Sequence, residues 1–213
     1  MRPAVAERGA LTLGPFEIMK EMVADLSDES LRELLRHLLE TETKARGIAA
    51  TGISVGGNQT AGDGGVDASI SWTGKPKPRD WLPRRTNIFQ SKAEAMGPAK
   101  ISKEMRRNGK PRPIFAELAK KRGSYIIFST DDPSASAYEA RIAAMREAIA
   151  DVPNGDRIAL DFYGADRIAR WANAHVGIAA WLLGKLGRPR GGWEPYGNCR
   201  ERPNPAVGTC LTQ

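Results

Sequence analysis

Leu31, Leu34, Leu35, Leu38 and Leu39 recur at steps of three and four residues. That spacing gathers them on one face and predicts an amphipathic helix over 31–44. Ser27 or Asp28 is placed to cap its start, and Gly47 to end it. A shorter helix is expected over 16–26. Val66, Ala68, Ile70 and Trp72 instead alternate with Asp67, Ser69 and Ser71, the two-residue period of a strand. Residues 86–93 form the next strand. Between them, 74–86 carries Pro76, Pro78 and Pro83 among basic groups and reads as a loop. Tyr125, Ile126, Ile127 and Phe128 run without a polar break, as a strand buried on both faces does. Further helices are expected over 98–107, 113–122 and 135–150. The last is a single long helix from Asp166 toward 186, and a strand at 157–163 precedes it. A short strand at 53–55 sits inside the glycine-rich stretch 48–65. The order predicts an α/β fold, a mixed sheet flanked by helices. One domain is expected over 16–187, with a loose leader at 1–15 and an extended tail at 188–213.

Charge sharpens this picture. The chain of 213 residues has a net charge of +7, but the excess is local. Residues 73–122 hold fifteen Lys or Arg and four Asp or Glu, a balance of +11, whereas 1–72 stand at −4. A contiguous basic block favours a polyanionic partner, most often nucleic acid. Lys75, Lys77, Arg79, Arg84 and Arg85 are its candidate phosphate contacts; solvated loop charge is the plainer alternative. Two cysteines and two histidines exclude a disulfide framework and a His-rich or four-ligand zinc site. No apolar run is long enough to span a bilayer, so no membrane partner and a cytoplasmic location are expected.

The chemistry concentrates in two short segments. Gly64-Gly65-Val66-Asp67 brings a carboxylate to the start of a strand behind a glycine turn. Phe89-Gln90-Ser91-Lys92 places Gln90 and Lys92 at i and i+2, on one face of the next strand. If the strands are neighbours, Asp67, Gln90 and Lys92 converge. Asp67 can hold a divalent cation through oxygen, Gln90 can offer its carbonyl oxygen, and Lys92 can stabilise developing negative charge. Glu42 continues the leucine stripe of the 31–44 helix and is expected, ahead of Glu40, as a further acid of the site. Asp63 reads as a turn residue. His175, Trp171 and Trp181 read as structural parts of the last helix.

The pattern Gly-Gly-Val-Asp67 followed by Phe-Gln90-Ser-Lys92 resembles the PD-(D/E)XK nuclease superfamily. It is most similar to the Mrr-like branch, where glutamine commonly stands before x-Lys. The resemblance implies a restriction-endonuclease-like fold and a Mg²⁺- or Mn²⁺-dependent endonuclease acting on DNA. It implies Asp67, Gln90 and Glu42 as metal ligands and Lys92 as the catalytic lysine. Residues 164–186 and 192–198 resemble parts of nuclease modules fused to bacterial anti-phage NTPases. That implies a defence effector working with an NTPase sensor domain or protein that this chain lacks. A homo-oligomer is expected if both DNA strands are cut. The competing readings are a catalytically inactive nucleic-acid-binding or assembly module, and a scaffold that binds through its Trp-containing C-terminal part.

Overall fold

A computed structural model describes residues 16–49, 52–55 and 66–188. Asp63, the leader and nearly all of the tail, including 192–198, lie outside them. The fold is α/β, as expected. A five-stranded mixed sheet in the order β1-β2-β3-β6-β7 lies between two helical layers. Its strands are β1 (Ile53–Val55), β2 (Ala68–Ser71), β3 (Thr86–Lys92), β6 (Ser124–Ser129) and β7 (Ala159–Tyr163). β1, β2 and β3 pair antiparallel, and β3, β6 and β7 parallel. This is the arrangement of a restriction-endonuclease-like sheet.

The alternation of each strand sorts its side chains between the layers. Ala68, Ile70, Phe89, Ile126 and Phe128 join a core with α1 (Lys20–Ala24), α2 (Asp28–Arg46), α6 (Ala165–Asn173) and α7 (Val176–Lys185). Ile88, Tyr125 and Ile127 join the other core. There they meet α3 (Pro98–Met105), α4 (Ile114–Lys121) and α5 (Ala135–Ala148). Asp67, Gln90 and Lys92 share the parity of Ile88 and therefore face the α3 layer.

α2 forms where the leucine stripe predicts. Ser30 N–H donates to the Ser27 hydroxyl at 3.2 Å, and Gly47 adopts φ +65° to close the C-terminus. Its five leucines are fully buried, each contributing roughly 1.5–3 kcal/mol of transfer free energy. α2 runs antiparallel to β3. Ala93 N–H, just past the end of β3, donates to Asp28 Oδ1 at 2.9 Å. At the other end, Arg46 Nη2 donates to the Arg79 carbonyl, in the loop before β3, at 3.1 Å.

Two expected helices differ. The helix expected over 98–107 stops at Met105, and a tight hairpin of β4 (Arg106–Arg107) and β5 (Lys110–Pro111) follows. Asn108 and Gly109 turn it with φ of 52° and 73°, the positive values that a two-residue hairpin turn requires. The single long helix expected from Asp166 is instead α6 and α7, broken at Ala174 and His175. The break lets the His175 ring reach Glu42 at 3.0 Å. α6 begins at Gly164 as N-cap, with Asp166 in its first turn. An added Cβ at Gly164 would lie 2.7 Å from the Asp131 carbonyl. No helix among the described residues is long and apolar enough to cross a membrane.

Candidate active site

β2 and β3 are neighbours, so Asp67 lies beside the C-terminal end of β3. Its backbone N–H donates to the Phe89 carbonyl at 3.0 Å. Its Oδ2 accepts from Gln90 Nε2 and from the Ser91 backbone N–H, both at 2.8 Å. The Asp67 carboxyl titrates above the usual carboxylate range. Burial drives this, and the Ser91 N–H together with the Lys92 and Arg32 cations offsets it in part.

The bond to Asp67 fixes the Gln90 amide. Its nitrogen faces the carboxylate, so its oxygen points away, and Gln90 Oε1 is buried without a protein partner. A buried, unpaired carbonyl oxygen costs about 1–3 kcal/mol unless something satisfies it. Among the described residues both bonds to the Asp67 carboxylate fall on Oδ2, with none on Oδ1. Gln90 Oε1 and Asp67 Oδ1 are hard oxygen donors, the kind that Mg²⁺ and Mn²⁺ prefer. These residues fit such an ion. No group of three or more His, Cys, Asp or Glu suited to a metal occurs among the described residues.

Lys92 faces the same layer and is three-quarters buried. Its ammonium lies 3.2 Å from Glu104 Oε2, on the last turn of α3. Glu104 also raises the Asp67 pKa, so the two carboxylates sense each other. Arg112 approaches Glu104 Oε1 at 3.6 Å, and its Nε donates to the Glu104 backbone carbonyl at 2.6 Å. The Tyr125 hydroxyl, on the adjacent strand, is buried and unpaired. Burial and then Glu104 hold it neutral, far above the usual tyrosine range. Glu104, Arg112, Tyr125 and Arg32 were missed by sequence reasoning. Glu104 lies twelve residues beyond Lys92 on another element, and no periodicity links the two.

Glu42 is not part of this group, which corrects its expected place in the site. It is buried on the α2 stripe as expected, but fourteen residues beyond Asp28, about 21 Å along the helix axis. Because α2 runs antiparallel to β3, that carries Glu42 to the opposite end of the sheet, and on the other face. There it is saturated. Arg46 Nε donates to Oε1 at 2.6 Å. Trp171 Nε1 and His175 Nε2 lie 3.3 and 3.0 Å from Oε2. Glu40 instead pairs with Arg36 at 3.3 Å. Trp171 is fully buried and stacks on Trp81 at 5.5 Å, so it belongs to the core. Trp181 packs against the same core and lies 4.4 Å from the His37 ring.

The structure also separates the expected phosphate contacts from Asp67. Lys75, Lys77, Arg79, Arg84 and Arg85 are all exposed. Their loop joins the end of β2 to the start of β3, about 20 Å along the strand from Lys92. Arg85 turns inward to the Gly74 and Pro76 carbonyls, and Arg79 lies 3.3 Å from Asp80. The Asp67 end is served by Lys92, Arg32 and Arg112 instead. Set against family models, curated proteins and solved structures, the chain matches none of them.

Proposed function

We propose that this chain is a metal-dependent nuclease of the PD-(D/E)XK type that hydrolyses DNA phosphodiester bonds. One observation carries the reading. A carboxylate, an amide oxygen left unpaired in a buried position, and an ammonium group lie on the facing ends of two adjacent strands. A core fold has no use for an orphaned acceptor beside a carboxylate whose charge is disfavoured by burial.

Asp67 and Gln90 would hold the ion, and Glu104 is placed to add oxygen beside them. Bound Mg²⁺ or Mn²⁺ supplies positive charge against the phosphate and makes a neighbouring water more acidic. The chain's own residues do the rest. Lys92 exchanges its Glu104 partner for a phosphate oxygen and stabilises the charge that develops there. Freed from Lys92, the Glu104 carboxylate would accept at Oε2 the proton of the attacking water, whose oxygen bonds to phosphorus as the bond to the leaving ester oxygen breaks. The Ser91 N–H holds Asp67 in place throughout. The likeness of 164–186 and 192–198 to nuclease modules of anti-phage NTPases supports a role as a defence effector.

Plasmid cleavage with and without Mg²⁺ or Mn²⁺ tests the proposal. Cleavage is expected with the metal and absent in EDTA. Asp67→Ala and Lys92→Ala should each lower the rate about 100- to 1000-fold. Wild-type rates in both variants would sink the assignment. DNA binding with no cleavage in any metal would leave the non-catalytic binding module as the reading.

A further inference from the structure

The basic block is split by the fold, and its second half reaches Lys92 through Glu104. Residues 98–112 hold six Lys or Arg and a single acid, Glu104. That acid is taken up by Lys92 and Arg112. The segment therefore presents positive charge with no acid of its own to spare.

Within it, the arginines divide into anchors and tips. Arg106 donates to the Gly109 carbonyl from Nε and Nη2, at 3.0 and 2.7 Å. It also reaches the Ala148 carbonyl at 3.0 Å and Asp151 at 2.6 Å. Arg112 is fixed to Glu104 through both backbone and side chain. These two pin the β4–β5 hairpin to α5 and α3. Arg107 and Lys110 pair directly across the Asn108-Gly109 turn. Both are exposed, and neither has an ion pair among the described residues. A rigid, short hairpin thus carries two cations on its tip. Its base shares one carboxylate with Lys92, at 3.6 and 3.2 Å.

We infer that the β4–β5 hairpin is the element that grips the DNA backbone beside the Asp67–Lys92 site, with Arg107 and Lys110 each neutralising a phosphate. What favours the hairpin over the Pro-rich loop at 74–85 is the carboxylate that its base shares with Lys92. The inference rests on the nuclease reading for the choice of DNA as partner. Its readout is binding alone, so the two can fail separately. The backbone beneath Arg107 and Lys110 is held by Arg106 and Arg112, so it loses little freedom on contact.

The test measures the affinity of the full-length chain for a short labelled DNA duplex over a series of KCl concentrations, without divalent metal. Each neutralised phosphate contributes about 0.9 to the slope of log K against log salt. The double variant Arg107→Ala/Lys110→Ala should flatten the slope by about 2 and weaken binding at low salt. Arg107→Lys/Lys110→Arg should keep the wild-type slope, because it keeps the charge. Arg84→Ala/Arg85→Ala should run parallel to wild type. Melting temperatures of the two hairpin variants should match wild type, since the Arg107 and Lys110 side chains have no hydrogen bond or ion pair among the described residues; the loop variant loses the Arg85 bonds to the Gly74 and Pro76 carbonyls and is measured at a temperature where it stays folded. The inference is overturned if the alanine hairpin variant overlays wild type. It is equally overturned if the loop variant loses the slope instead, if wild type does not bind, or if the RNA duplex of the same sequence binds more tightly. A flattened slope in a protein that never cleaves would sink the nuclease reading and leave the hairpin assignment standing.

Discussion

Two carboxylates, Glu42 buried and Asp67 half-buried, sit at opposite ends of this sheet, and they are treated differently. Glu42 is surrounded by donors: Arg46, Trp171 and His175. Among the described residues the Asp67 carboxylate has two bonds, both on one oxygen, and Gln90 Oε1 beside it is unpaired. Four buried side-chain atoms lack a partner among the described residues. One, Arg46 Nη1, belongs to the Glu42 end. Gln90 Oε1, Ser91 Oγ and Tyr125 Oη belong to residues that bond or electrostatically sense Asp67. Leaving a buried polar atom unmatched is costly. On the face that carries Asp67 the unmatched atoms are Gln90 Oε1 and Tyr125 Oη, whereas Ser91 Oγ points by strand alternation into the other layer; the first two leave the Asp67 face with unused bonding capacity. The saturated end is built to stay as it is.

The largest effect expected is on the saturated side. Glu42→Gln strips the charge that matches Arg46, whose side chain is only 4% exposed. Breaking such a buried pair typically costs about 3–5 kcal/mol. Denaturant unfolding should register that loss, while cleavage per folded molecule at low temperature stays at the wild-type level. A cleavage defect as deep as that of Asp67→Ala would reunite the two ends and break the contrast.

Asp67→Asn should act in the opposite sense. The folded chain raises the Asp67 pKa, so between the ordinary value and the raised one the folded state binds more protons than the unfolded state. Stability then falls as pH rises through that interval, and the deficit persists above it. Asn removes the deficit and can still accept the Ser91 N–H. The melting temperature of Asp67→Asn at neutral pH should therefore lie above that of wild type in EDTA, with less dependence on pH. Mg²⁺ or Mn²⁺ should raise the melting temperature of wild type and leave the variant unmoved. A variant less stable than wild type at neutral pH would show that Asp67 is an ordinary structural acid.

The smallest effect is expected from Gln90→Glu. A carboxylate offers the same kind of oxygen with added charge, so cleavage should change less than tenfold, within about 1.4 kcal/mol. Gln90→Leu has no oxygen to offer and should fall well below it. Equal rates in the two variants would remove Gln90 from the ligand set.

Much of this was legible in the chain. Alternation over 66–72 and the i, i+2 spacing of Gln90 and Lys92 put three side chains on one face, because strand geometry leaves no other choice. The leucine stripe likewise gives the buried face of α2. It does not say what that face meets, or which way the helix runs along the sheet. Glu42 was therefore rightly read as buried and wrongly sent to Asp67. The Asn108-Gly109 pair carries a hairpin signal, and the hairpin it turns ends the helix expected over 98–107 two residues early. The loop cations are close to Asp67 in sequence, but the length of a strand lies between them and the site. Glu104 had no local signature. It depends on how α3 docks, which only the packed structure decides.

The pairing of Ile18 with Asn173 of α6 has a consequence for how the chain is made. Ile18 N–H and carbonyl are both bonded to the Asn173 side chain, at 2.8 and 2.9 Å. The core over α2 is completed by Ile168, Trp171, Ile178 and Leu182. A chain emerging from the ribosome displays the α2 leucines more than a hundred residues before these partners are synthesised. Over that interval the stripe is an exposed apolar surface, open to chaperones and to other nascent chains. The opposite layer closes earlier, since α3, α4, β6 and α5 follow one another directly. The face that carries Asp67 and Lys92 can thus be assembled while the face that carries Glu42 still waits for its last two helices.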